Sequence, residues 1–425
     1  MDKSFLVEYK ALESLFKSPM ELAAAQANLV RDWLATKTKA MFDELRRSEP
    51  IFKSPKAIIV TRQPDVHEIL SRDAEFTEAI YTPRMHRVHA DFSLGMPDSP
   101  EYEREVSTLR LAAGRGDLVS IQQFVKSEAE KLVATAGHGS LDLVRDLARV
   151  VPARFAAWYL GVSGPDECTL QHWMRALFWD LFRNLSNDLK TVQAADAAAT
   201  ALKTHLSSAI AERKAAIAND KATPDDVMTR LLRLQSASPL ALDDDGIRRN
   251  LTGLAVGAVE TTSECVANVL DVLLDRPDML AAAQLAANRD DTTLDGFVFE
   301  ALRFKPQHPF LYRVCASACT IARGTPREAH IPAGSFIVAA VWSAMFDEAV
   351  VHNPESFRPG RPSGDYLLFG GGRHTCFGAH INRVQISAIC RSVLRRKGLR
   401  RKAGQEGQMK YDGPFPDSLL LEFDT

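Results

Sequence analysis

The stretch FGGGRHTCFG, residues 369–378 of a 425-residue chain, decides how the fold is read. Gly370, Gly371, Gly372 and Gly378 surround a single cysteine, Cys376, which stands two residues after His374. Glycine loses more backbone freedom on folding than any other residue, so core packing alone does not account for such a run. A helix-like segment, AHINRVQISAICRSVLRRK, follows directly. A cysteine ahead of a helix faces that helix's unpaired N–H groups and the positive end of its dipole. Both favour thiolate over thiol. Glycines beside it let the backbone approach a flat ligand and donate N–H bonds to the sulfur. A thiolate so placed suits the axial position of a haem iron, where it pushes electron density toward bound oxygen and favours O–O cleavage. On this loop alone, a glycine-rich turn with an incidental cysteine remains open.

Composition sets the bounds. Hydrophobic residues make up 46% of the chain and charged residues 25%, which is ordinary for a globular protein with a large core. The length fits two or three compact units or one large fold. A formal net charge of −2 gives no electrostatic reason to expect nucleic acid or an anionic membrane as partner. The N-terminal MDKSFLVEYKALESLF is broken by Lys, Glu or Ser every few residues, unlike the apolar core of a secretory signal. No stretch has the length and freedom from charge of a membrane span. The expectation is a soluble, cytoplasmic protein. Six cysteines, at 168, 265, 315, 319, 376 and 390, are too sparse for a disulfide scaffold. Cys315 and Cys319 read as small apolar residues in an extended segment, and Cys265 as core.

Up to about residue 305 the texture is helical, as in PMELAAAQANLVRDWLATKTKAMFDELRR and DLVRDLARVVPARFAAWYLG. KAIIVTR (56–62) reads as a short strand, and QPDVHEILSR as a helix opened by Pro64. From about 304, FLYRVCASACTIARGTPREAHIPAGSFIVAAVWSAM shows alternation, β-branched residues and Gly/Pro turns, so short strands and hairpins are expected. The fold class is therefore mainly α with small β-sheets, an α+β chain. Its helix-rich body covers about 100–305 and its small β-rich parts about 50–65 and 305–345.

Phe369, Gly370, Gly372, His374, Cys376 and Gly378 resemble the haem-binding signature of the cytochrome P-450 family, the haem-thiolate monooxygenases. The resemblance implies a single domain of that fold over 1–425, with haem b (iron protoporphyrin IX) between a long central helix and the Cys loop. It implies Cys376 as the axial iron ligand, His374 on a haem propionate and Phe369 beside the sulfur. Four upstream stretches support it. Glu300 and Arg303, in EALR, lie one helical turn apart, a pair that alone reads as a surface couple. With Arg361 of FRPGR they resemble the family's E-x-x-R and F-x-P-x-R elements, a carboxylate held by two guanidiniums with a structural role over the coil before the Cys loop. In GLAVGAVETTSECVANVLDVLL (253–274), a mid-helix glutamate needs a partner or a pocket. Gly257, Ala258, Glu260, Thr261 and Thr262 there resemble the family's motif over the haem. Thr261 would then hydrogen-bond dioxygen and Glu260 would relay protons to it. Arg313 in HPFLYR matches a propionate-binding arginine, with Pro309, Phe310 and Leu311 toward the substrate cavity.

One stretch departs from the pattern. Where many soluble members carry His-x-x-x-Arg, DSPEYEREVSTLR places Tyr102 and Val106, with Arg104 and Arg110 out of step. Propionate anchoring on that side is left to another group, with the Tyr102 hydroxyl as candidate. The family's chemistry implies a monooxygenase acting on a lipophilic small molecule with O2, by hydroxylation or epoxidation. The chain lacks flavin, nicotinamide and iron–sulfur fingerprints, so electrons would come from a separate ferredoxin or flavodoxin. The basic tract CRSVLRRKGLRRK reads either as a solvated helix end or as part of the docking face for that donor. A peroxygenase or hydroperoxide isomerase on the same haem thiolate is an alternative, which the Glu260–Thr261 pair argues against. A non-catalytic haem protein, or a thiol enzyme with Cys376 as nucleophile, is a further one.

Overall fold

Two threonines divide the first amphipathic stretch. Thr36 Oγ1 donates to Asp32 O at 2.8 Å and Thr38 Oγ1 to Leu34 O at 2.7 Å. Such back-bonding competes with the helical ladder and bends it. The stretch thus forms two helices, Pro19–Thr36 and Thr38–Ser48, which meet at Lys37. The computed structural model describes residues 4–136, 139–184, 186–238, 241–289 and 292–424. These fall into two compact units.

The first unit comprises Met1–Ile80 (described from Ser4), His308–Phe357 and Arg361–Cys376. Its centre is a five-stranded sheet ordered Ile51–Lys53, Ile58–Val60, Phe336–Ala339, Leu311–Cys315, Phe76–Thr77. All neighbours are antiparallel except Ile58–Val60 beside Phe336–Ala339, which run parallel. Both of those strands are apolar and almost wholly buried, as expected of strands covered on both faces. The helix Gln63–Ser71 carries Pro64 in its first turn, where a missing N–H is harmless. A second hairpin pairs Cys319–Ile321 with Ala329–Ile331. The fully buried Trp33 meets the edge of Phe5 at 5.1 Å and fixes the N-terminal helices.

The second unit comprises Tyr81–Gln307, Arg358–Gly360 and Phe377–Thr425. It is organised on one helix, Asp244–Leu274, started by Asp243, whose carboxylate accepts the Gly246 N–H. Helices Leu118–Thr135, Glu167–Phe178, Leu189–Ala218, Thr293–Phe304 and Ala379–Leu394 belong to the same unit. It also holds small sheets. Leu420–Glu422 pairs with Ser140–Asp142 and Arg400–Arg401, and Lys410–Asp412 with Phe415–Ser418. These strands lie outside the two β-rich parts expected above. In the Lys410–Ser418 hairpin Gly413 has φ +56°, and a Cβ there would meet Trp179 at 2.5 Å. Among the described residues no helix is long and apolar enough to cross a membrane.

Candidate haem-thiolate site

The Cys loop of the first unit is shaped by its glycines. Gly370 and Gly372 have φ +69° and +70°, values that L side chains rarely adopt. At Gly372 a Cβ would come 1.8 Å from the Leu70 carbonyl oxygen, so only glycine fits. The turn returns so that Cys376 N–H donates to Phe369 O at 3.0 Å. Phe369 is half-buried and Cys376 is exposed. Phe310 and Leu311 are also half-buried. The Phe310 ring lies 6.1 Å from Phe42 and 5.3 Å from Tyr312. Leu311 Cδ1 lies in front of Gly370.

Arg313 and His374 come together in this unit at a residue that spacing does not announce, Glu78. Glu78 Oε1 is 2.8 Å from Arg313 Nη2, and its Oε2 is 3.0 Å from His374 Nε2. All three side chains are nearly closed to solvent. Burial pushes the Glu78 carboxyl up to about 7, against the pull of Arg313. Arg313 Nη1 donates to Tyr312 O at 2.8 Å, and its buried Nε makes no hydrogen bond among the described residues.

In the second unit the long helix Asp244–Leu274 is buried almost all round. Between 253 and 265 only Leu254, Gly257, Ala258, Thr261 and Cys265 escape full burial. These positions follow helical spacing and make one open stripe. A Cβ at Gly257 would meet nothing within 4 Å. The Thr261 hydroxyl donates to Gly257 O, which leaves its own oxygen able to accept. Glu260 turns the other way. It is 2% exposed, with Oε2 3.4 Å from Arg175 Nε and Oε1 without a hydrogen bond among the described residues. Burial raises its carboxyl above the ordinary range, while Arg175 and Arg149 pull it down. Arg175 also reaches Asp412 at 3.2 Å and Asp417 at 3.5 Å. One turn on, buried Glu264 meets Arg183 at 3.2 Å and Gln307 Nε2 at 3.1 Å, and burial raises it too. Arg149, Arg175, Arg183 and Glu264 were not singled out by the sequence reading.

Glu300 and Arg303 are both fully buried and joined by two hydrogen bonds, Nε–Oε2 at 3.1 Å and Nη2–Oε1 at 2.8 Å. Glu300 Oε1 also accepts the Arg358 N–H at 2.9 Å. They are no solvated surface couple. In the first unit Arg361 donates to the carbonyls of His352, Asn353 and Ser356, a clasp on the coil before it. In the helix Pro100–Ala112, Tyr102 and Val106 are buried, whereas Arg104 and Arg110 are exposed. The basic tract is engaged inside the second unit. Arg391 and Arg395 donate to Ala287 O, and Arg401 reaches Asp271 and Asp275.

An exposed thiol on a glycine-built loop and a buried arginine with an unused donor in the first unit, and in the second an open helical stripe bearing Gly257, Ala258 and Thr261, are features that a haem-thiolate protein would use. The family described as Cytochrome P450 matches residues 51–421, and the chain belongs to it. Erythromycin C-12 hydroxylase of Saccharopolyspora erythraea is 28% identical over 388 residues, 88% of either chain. The steroid C26-monooxygenase of Mycolicibacterium smegmatis is 28% identical over 353 residues, 83% of either chain. Among solved structures, CalO2 superposes with a TM-score of 0.79 at 20% identity, covering 92% of this chain and 97% of that one. The fold is that of the cytochromes P450, and the chain is an oxidoreductase of the monooxygenase type. It works with a haem thiolate, O2, a redox partner and a small-molecule substrate. The donor set fits the cofactor: a soft sulfur able to bind iron as thiolate, and Arg313 with His374 as donors for a porphyrin carboxylate.

Proposed function

We propose that residues 1–425 act as one catalytic domain that holds haem b, draws two electrons from a ferredoxin- or flavodoxin-type protein and places one oxygen atom from O2 on a lipophilic small molecule. The observation that carries the reading is the Glu260–Thr261 pair. One is a buried carboxyl held above the ordinary range, and its neighbour in sequence is a hydroxyl on the open stripe. A peroxide-driven enzyme has no need of such a relay.

Haem, when bound, supplies oxygen activation and transfer to a C–H or C=C bond. Cys376 would hold the iron, with Phe369 and Gly370 shaping the loop around the sulfur. Arg313 and His374 would hold the porphyrin edge. Glu260 would keep a proton out of bulk water, and the Arg175–Arg149 pair sets how readily it is given up. The Thr261 hydroxyl would accept that proton through water and present it at the stripe. Gly257 and Ala258 leave room there because a longer side chain would fill it. In the first unit half-buried Phe310 and Leu311 offer apolar surface for a guest, and in the second Ala258 lies on the open stripe. Relatives named for erythromycin and for steroids support a large small-molecule substrate.

Thr261→Ala tests this. With reductant, redox partner and a turnover substrate, the variant should consume reductant while releasing peroxide in place of product, and Thr261→Ser should restore coupling. Unchanged coupling in Thr261→Ala would remove the relay and favour a peroxygenase.

A further inference from the structure

The first unit carries an acid where a carboxylate-binding site is needed. Glu78 follows the strand Phe76–Thr77 and is 2% exposed. Its two oxygens take Arg313 Nη2 at 2.8 Å and His374 Nε2 at 3.0 Å. Asp73 faces the same point, with one oxygen within 4.8 Å of the ligand atoms of Glu78 and His374. Among the described residues the charged and titratable groups around Glu78 are Arg313, His374 and Asp73. While Glu78 is ionised, it already neutralises Arg313. A second carboxylate brought to this place meets a like charge away from water, with another acid close by, which is strongly unfavourable. A neutral Glu78 removes that repulsion and adds an O–H donor.

We propose that haem uptake by this chain is coupled to protonation of Glu78, whose neutral carboxyl hands Arg313 and His374 to a porphyrin carboxylate and donates its own O–H to it. This rests on the haem reading above. Glu78 is then a positioning residue and does not touch the iron. The step balances with one proton taken from solvent whenever Glu78 starts ionised.

The sign follows from where the carboxyl titrates. Glu78 ionises at about 7. Above that, the protonated fraction falls about tenfold per pH unit, and the apparent haem affinity falls with it. At pH 8, Glu78→Gln should bind haem about tenfold more tightly than the wild type, and at pH 6 the two should converge. Cys376 sheds a proton on ligation in both proteins, so the comparison cancels that step.

The experiment follows haem partition between the full-length protein and excess apomyoglobin, read from the Soret band at pH 6, 7 and 8. Glu78→Gln should flatten the profile relative to wild type, and Glu78→Asp should keep its slope. Glu78→Ala serves as a second charge-free variant where Gln does not fold. Parallel profiles, with both proteins holding haem through thiolate, would overturn the coupling and leave the haem reading standing. Failure of wild type and variants alike to hold haem would overturn both.

Discussion

Arg175→Ala should destabilise the second unit, and more so at pH 8 than at pH 5. Arg175 is the nearest cation to the Glu260 carboxylate, at 3.4 Å, and neither side chain is more than 9% exposed. It also donates to Pro416 O at 3.2 Å and covers the Phe415 ring at 5.2 Å. Removing one partner of a buried ion pair costs about 3–5 kcal/mol, because the remaining charge is stranded. Two features pull the figure to the lower end, about 3 kcal/mol. Arg149 acts on the same carboxylate, and Glu260 can take up a proton. That escape sets the pH dependence. The folded-state value of Glu260 is already raised by burial. A raised carboxyl contributes its full stability below the ordinary carboxylate range and loses it as pH rises through the folded value. Without Arg175 the folded value moves up further, so the window of loss extends to higher pH. Urea unfolding of the full-length protein, followed by far-UV circular dichroism at the two pH values, measures this. Arg175→Ala combined with Glu260→Gln should recover about 1–3 kcal/mol of the summed single losses. An equal loss at pH 5 and pH 8, together with strict additivity, would refute the argument that this pair is a coupled, buried proton store.

Three further results are expected. Gly372→Ala combines a left-handed backbone with an overlap on the Leu70 carbonyl, and should cost about 2–5 kcal/mol and loosen haem retention. Gly370→Ala, whose Cβ would meet only Leu311 Cδ1 at 3.3 Å, should cost about 1–2 kcal/mol, so thermal midpoints of the pair separate backbone strain from collision. Among the described residues the Thr261 hydroxyl bonds only within its own helix, so Thr261→Ala should leave the thermal midpoint nearly unchanged while coupling is lost.

What could be read from the sequence was local. The Cys loop, the strand at Ile58–Val60, the helix opened by Pro64 and the hairpins between 311 and 339 each declare themselves within a dozen residues through glycine, proline or alternation. Glu300 and Arg303 share a helical face by spacing alone, although their complete burial does not follow from it. What was hidden is long-range. Arg175 meets Glu260 across 85 residues, and Arg183 meets Glu264 across 81. No period links such residues, and only the packing of separate helices brings them together. Glu78 is of the same kind, an ordinary surface type by composition that burial turns into a titrating group. The strand Leu420–Glu422 does not declare itself because its partners, Ser140–Asp142 and Arg400–Arg401, are two or three residues long and the first is remote in sequence. In the basic tract after Cys390, which reads as a solvated helix end or as part of a docking face, spacing does not reveal that Arg391, Arg395 and Arg401 also bind carbonyls and aspartates of their own unit.

The claim beneath all of this is that the sulfur of Cys376 binds a haem iron. The absorbance of the purified full-length protein, reduced under carbon monoxide, tests it most directly. The wild type should show the red-shifted Soret band from which the family takes its name, and Cys376→Ser should lose that band. A colourless protein that takes up no haem, or a variant that keeps the thiolate band, would contradict the account.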